Sequence, residues 1–131
     1  MELKRVNPYF LYITDPLLKL YESRIKLLEL FREGMVPPIY VFEGETQLVF
    51  NGNKRTIIAR ELEQGLQGYL IKSQADLEEA QKFDPRRFPR ELSLDYHSVK
   101  YHLTERANTF ARLNDRLMPI SVTTASRRIR I

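Results

Sequence analysis

Residues 46–62 read Thr46-Gln47-Leu48-Val49-Phe50-Asn51-Gly52-Asn53-Lys54-Arg55-Thr56-Ile57-Ile58-Ala59-Arg60-Glu61-Leu62. The first five residues have the character of a strand, and from Ile57 onward the apolar positions 57, 58 and 62 fit a short helix that Gly65 stops. Asn-Gly is also a hairpin turn, so a purely structural turn is the competing reading. A hairpin expects a second strand directly after the turn, and the 54–64 pattern is helical instead. Amides at the start of a helix are unpaired and carry the positive end of its dipole. Gly52 leaves room for a ligand, while Lys54 and Arg55 add mobile positive charge. Asn51, Gly52, Asn53, Lys54, Arg55 and Thr56 are therefore the candidate residues for binding a phosphate or another anion.

Outward from this junction, Pro37-Pro38 forces an extended entry into Ile39-Tyr40-Val41-Phe42, and Glu43-Gly44-Glu45 supplies the turn back to Thr46. Gln67 to Ile71 reads as a further strand and Gln74 to Phe83 as a helix. Upstream, Tyr9 to Ile13 is aromatic and β-branched enough for an early edge strand. Thr14-Asp15-Pro16 then opens a helix whose apolar positions are Leu17, Tyr21, Ile25, Leu28 and Phe31, widened by Leu20, Leu27 and Leu30 and ended by Gly34. The order predicts an α+β fold, a small mixed sheet flanked by helices.

Residues 84–97 change character. Asp84-Pro85-Arg86-Arg87-Phe88-Pro89-Arg90 is basic and broken by proline, and reads as an irregular connector or a binding arm. From Ser98 to Met118, Val99, Leu103, Ala107, Phe110, Leu113 and Leu117 recur every three or four residues, which predicts a long C-terminal helix stopped by Pro119. Arg112, Arg116 and Glu105 make its other side a mixed solvated face. The chain divides into a core over 1–83 and a region over 84–131 that packs on it, within one domain.

The chain has 131 residues, 43% of them hydrophobic, which suffices for one genuine core. With no cysteine, disulfides, thiolate metal sites and cysteine nucleophiles are excluded. No apolar stretch approaches the roughly 20 residues of a membrane span, and Met1 to Arg5 lack a secretory apolar core, so the expected compartment is the cytoplasm. The net charge of +4 is unevenly placed: residues 1–83 carry 11 Lys/Arg against 12 Asp/Glu, and residues 84–131 carry 10 against 5. Arg86, Arg87, Arg90, Arg127, Arg128 and Arg130 are accordingly the candidates for a nucleic-acid contact, with ordinary solvated surface as the alternative.

Pro37 to Val41, then Leu48 to Arg55, then Ala59 and Tyr69-Leu70-Ile71 resemble the ParB/sulfiredoxin-like superfamily over roughly residues 16–80. The resemblance implies a loop between strand and helix that binds nucleotide phosphates. Gly52 would be its close-approach glycine, Arg55 its phosphate ligand, and Asn53 and Lys54 its variable positions. Mg2+ is expected only as the companion of a bound nucleotide. Asn53 stands where sulfiredoxins need cysteine, which removes that reductase chemistry. Asn53 and Lys54 also replace the glutamate and second arginine of ParB partition proteins, so nucleoside triphosphate hydrolysis by that route is not expected. Nor does a helix-turn-helix follow.

Elsewhere, His97 and His102 with Asp95 and Glu105 lack the spacing of a metal site, and none is nominated. Glu43, Glu45, Glu61 and Glu63 are unremarkable as an acid/base pair, and no base stands beside Thr56 or Ser98, so catalytic residues stay unassigned. Tyr9, Phe10, Tyr12, Tyr21, Phe31, Tyr40, Phe42 and Phe50 are assigned to core packing rather than to base stacking. The alternatives to a phosphate-binding domain are a nucleic-acid-binding accessory protein and a non-catalytic homo-oligomeric module, as a homodimer.

Overall fold

The structure, a computed structural model, describes residues 1–15, 20–110 and Asn114. It is an α+β fold built on a five-stranded mixed sheet, with strands β1 (Glu2–Val6), β2 (Leu11–Tyr12), β3 (Ile39–Glu43), β4 (Gln47–Asn51) and β5 (Leu66–Ile71). The strands lie in the order β1-β5-β3-β4-β2. The pairs β1/β5 and β3/β4 are antiparallel, and β3/β5 and β2/β4 are parallel. Four α-helices complete it: α1 (Leu20–Glu33), α2 (Asn53–Leu62), α3 (Gln74–Phe83) and α4 (Tyr96–Thr109). Among the described residues no helix is long and apolar enough to cross a membrane.

Both faces of the central strands are covered, so their side chains are apolar on both sides. Ile39, Val41, Val49, Leu66 and Leu70 point into one core beneath α1 and α2, with Phe31, Ile58 and Ala59. Tyr40, Phe42, Leu48 and Ile71 point into the other, beneath α3 and α4, with Leu77, Ala80, Leu103 and Ala107. The period-2 alternation of a strand produces this partition. The connector between α3 and α4 is irregular as the prolines predict, but it is also anchored. Phe88 is fully buried, stacked on Phe50 at 4.5 Å and edge-on to Tyr40 at 4.9 Å.

The early strand, the first strand and the side chains assigned to the core depart from the sequence reading. The early strand shrinks to Leu11–Tyr12, because Asn7 caps a single 3-10 turn over Pro8–Phe10 by accepting from the Tyr9 amide. Glu2–Val6, where no strand was expected, pairs with β5 along its whole length; only Val6 of its five residues is buried, so no hydrophobic pattern marks it. The inward face of α1 is rotated from the predicted one. Leu20, Leu27, Leu28 and Phe31 pack on the core, while Tyr21 and Ile25 are 89% and 73% exposed. The stripe Leu20-Leu27-Phe31 faces the sheet with Leu28 at its edge, while Tyr21 and Ile25, about 100° or more around the helix, are turned away from it. Phe10, likewise assigned to the core, is exposed.

The described part of the C-terminal helix, α4, runs from Tyr96 to Thr109, with Phe110 as its cap at φ −105° and ψ 32°. The rest of the expected helix to Met118, and Arg112, Arg116, Arg127, Arg128 and Arg130, lie outside the described residues. Asn114, the one described residue beyond Phe110, is buried, and its amide spans Ile13 N, Ile13 O and Ala107 O.

Candidate functional site

β2 and β4 are parallel neighbours, and the chain leaves both at the same end of the sheet: Thr14-Asp15 after β2, and Asn51 to Arg55 after β4 into α2. A cavity of about 610 Å³ opens there, lined by those two segments, by one side of α1 and by α4. Its size falls within the range of small-molecule sites. Leu27, Leu30, Phe50 and Leu103 supply an apolar part, while Lys26, Lys54, Arg55 and Arg106 against Asp15 and Glu22 supply the charge. Cations outnumber carboxylates by two.

Five of the six candidate residues, Asn51 to Arg55, line this cavity, and Thr56 does not. Gly52 is the N-cap of α2 at φ 115° and ψ 25°, and no side chain caps the helix. Thr56 N bonds to Gly52 O at 2.9 Å as the first turn closes, while the amides of Asn53, Lys54 and Arg55 precede that bond. The Thr56 hydroxyl donates back to Gly52 O at 2.9 Å, so Thr56 holds the turn from inside. The glycine is needed for a reason other than ligand access. A Cβ on Gly52 would stand 2.7 Å from Ile39 Cβ and closer still to its Cγ2, and the backbone is left-handed.

Asn53 is buried, and its Oδ1 accepts from Thr14 N at 2.8 Å. Thr14 in turn donates its hydroxyl to Val49 O. Asn53 thus ties the end of β2 to the start of α2. Arg55 donates from Nη1 to Pro37 O (2.9 Å) and Pro38 O (2.8 Å), and from Nη2 to Asn51 Oδ1 (2.8 Å). Its guanidinium clamps the proline-led entry of β3 to the loop. Burial, and then the nearby charge of Arg87, lower its pKa. Lys54 reaches Ser23 Oγ at 3.4 Å, and neither Lys54 nor Lys26 forms an ion pair among the described residues.

No family model, curated protein or solved structure matches the chain.

The basic connector lies near the loop. Phe50 lines the cavity and stacks on Phe88, and Arg87 is close enough to Arg55 to depress its pKa. Arg87 is paired with Asp84 Oδ2 at 2.9 Å, and Arg90 donates to Gln81 O and Lys82 O at 3.4 Å each. Arg86 is exposed. Asp84 also accepts from Tyr40 Oη at 2.9 Å. Burial pushes Asp84 up, but the hydrogen bonds from Tyr40 and Arg87 outweigh it and hold the carboxyl below its usual range. Burial, then the bond to Asp84, pushes Tyr40 up to about 12. Tyr40 is thus expected to stay protonated in alkali in which an ordinary tyrosine ionises, and Asp84→Asn should move its titration back toward the ordinary value. Ring carbon NMR shifts followed from pH 8 to 12 check this; an unshifted Tyr40 titration in the variant would remove Asp84 as a cause.

Arg60 is not among the residues singled out from the sequence. It is 2% exposed, donates from Nε to Pro8 O at 2.8 Å and from Nη2 to Leu11 O, and leaves Nη1 without a partner among the described residues. Burial lowers its pKa to about 10. Its position four residues after Thr56 and three after Ile57, both buried, was the available signal. Asp15, Glu22, Lys26 and Arg106 were missed because only the fold brings them to the loop. Among the described residues no group of three or more His, Cys, Asp or Glu is placed to hold a metal.

Proposed function

We propose that the chain is a ParB/sulfiredoxin-like domain that binds a nucleotide or another phosphate-bearing ligand at the loop from Asn51 to Thr56. The observation that carries this reading is the meeting of the uncapped N-terminus of α2 with a cavity of about 610 Å³ whose lining holds Lys26 and Lys54. Unpaired amides in the first turn of a helix suit phosphate oxygens, and the two ammonium groups add charge where the ligand carries it. Phe50, Leu27, Leu30 and Leu103 offer an apolar surface for the rest of such a ligand, as a base or another ring needs.

The roles within the loop differ from those the resemblance implies. Gly52 sets the backbone, Asn53 and Arg55 brace it, and Lys54 is left to meet the ligand. Mg2+ would arrive on the phosphates rather than in a protein cage, as it commonly does at nucleotide sites. The proposal is one of binding, and no catalytic step is assigned to the carboxylates Asp15 and Glu22 in the cavity wall.

Binding isotherms for ATP, CTP, GTP and inorganic phosphate test it on wild type, Lys54→Ala and Arg55→Ala. Lys54→Ala should weaken phosphate-bearing ligands about tenfold, the size of a lost charge-assisted contact. Arg55→Ala should weaken them too, by releasing the loop from Pro37 and Pro38. A folded wild type that binds none of the four would sink the reading.

A further inference from the structure

Asp15 and Arg106 face each other in the wall of the same cavity, one on the segment after β2 and the other in the last turn of α4. Arg106 donates from Nε to Thr14 O at 2.7 Å and from Nη2 to Asp15 Oδ1 at 2.8 Å. The backbone beneath the pair is fixed. Thr14 N is bonded to Asn53 Oδ1 at 2.8 Å and the Thr14 hydroxyl to Val49 O, so Arg106 is oriented by a carbonyl that cannot easily move. The carboxylate itself is not fixed. The Asp15 side chain is 62% exposed and, among the described residues, accepts a single bond from Arg106, whose side chain is 38% exposed, and ion pairs this accessible are held weakly.

We infer that Arg106 is a ligand-binding residue of this site and that Asp15 is its resident anion, displaced when a phosphate group enters. The inference rests on the reading of the cavity as an anion site. A phosphate group carries about −1.5 to −2 charge at neutral pH, against a single charge on Asp15 or on a simple carboxylate, so exchange at the guanidinium favours phosphate over both. Only the Asp15 side chain has to turn away, because Thr14 O keeps Arg106 aimed. Asn53 links the pair to the other half of the site: it holds Thr14 and is itself the first residue of α2.

The test is a titration of the full chain with inorganic phosphate and, separately, with acetate, following the amides of Asn53, Lys54 and Arg55 and the Arg106 Nε–H by NMR. Wild type, Asp15→Asn, Arg106→Gln and the double variant are compared. Asp15→Asn should bind phosphate about three- to tenfold more tightly than wild type, and Arg106→Gln about tenfold more weakly. In the Arg106→Gln background the Asp15 change should bring less than about a twofold gain, since the guanidinium it occupies is gone. Asp15→Asn should also lose part of the preference for phosphate over acetate.

Phosphate binding by wild type that is unchanged in Asp15→Asn overturns the inference and leaves the anion site standing. A gain that persists in full without Arg106 overturns it as well, because Asp15 would then act only as a distant repelling charge. If neither wild type nor Asp15→Asn binds phosphate, the anion site itself fails and the inference falls with it. Should Arg106→Gln not fold, the phosphate and acetate affinities of the exposed-site variant Asp15→Asn, with the Arg106 Nε–H shift, decide the matter alone.

Discussion

Replacing Gly52 with alanine is expected to lower the free energy of unfolding by about 3 kcal/mol. Two costs combine. The residue sits at φ 115°, a region that L side chains rarely adopt, and the new methyl would stand 2.7 Å from Ile39 Cβ. Ile39 is fully buried at the start of β3 and cannot move aside without disturbing Val41 and the core under α1. Relaxation there means shifting the start of α2, so the same substitution should also distort the loop that lines the cavity. Urea denaturation compared with wild type measures the first effect. A loss below about 0.5 kcal/mol would show that the turn tolerates a side chain and that its glycine has no structural cause.

The second large effect is expected at Arg60. Arg60→Ala should cost about 4 kcal/mol, in the range found when one partner of a buried polar cluster is removed. The guanidinium satisfies Pro8 O and Leu11 O from within the protein, and its removal leaves both carbonyls short of a donor beside an empty volume. Arg60→Lys should recover only part of the loss, since a single ammonium group cannot reproduce the fork that spans the 3-10 turn and β2. Thermal denaturation of the two variants checks the order. A stable Arg60→Ala protein would mean that the segment from Pro8 to Tyr12 is held by other contacts.

Much of the fold was legible where signals are local. Pro37-Pro38, the Glu43-Gly44-Glu45 turn and the apolar runs of β3 and β4 marked the hairpin, and Ser73 accepting from Asp76 N at 3.2 Å is the cap that opens α3. What failed was whatever depends on partners remote in sequence. β1 is a strand because β5 offers it a ladder, not because its residues alternate. α1 is apolar on more than one side, and only the sheet decides that Leu20, Leu27, Leu28 and Phe31 turn inward while Tyr21 and Ile25 do not.

The site divides in the same way. The strand, the glycine and the helix start were readable between 46 and 62, since a left-handed glycine before a helical run is a local pattern. That Arg55 would turn to Pro37 and Pro38, and that Lys26, Arg106, Asp15 and Glu22 would complete the cavity, were not. Those contacts cross between elements 17 or more residues apart, and no spacing rule reaches them. The buried face of α2 held a subtler trace: Asn53, Thr56, Ile57 and Arg60 recur every three or four residues, which marks Arg60 as inward-facing despite its charge.

The central claim is that the first turn of α2 receives phosphate. It is tested most directly by recording the amide NMR spectrum of the full chain while ATP, CTP, GTP and inorganic phosphate are added in turn, up to about 10 mM, enough to reveal millimolar binding. The account predicts that the Asn53, Lys54 and Arg55 amides shift first and furthest with at least one of the four, while those of β1 and α3 stay in place. A folded protein whose first-turn amides remain unmoved by all four would contradict it.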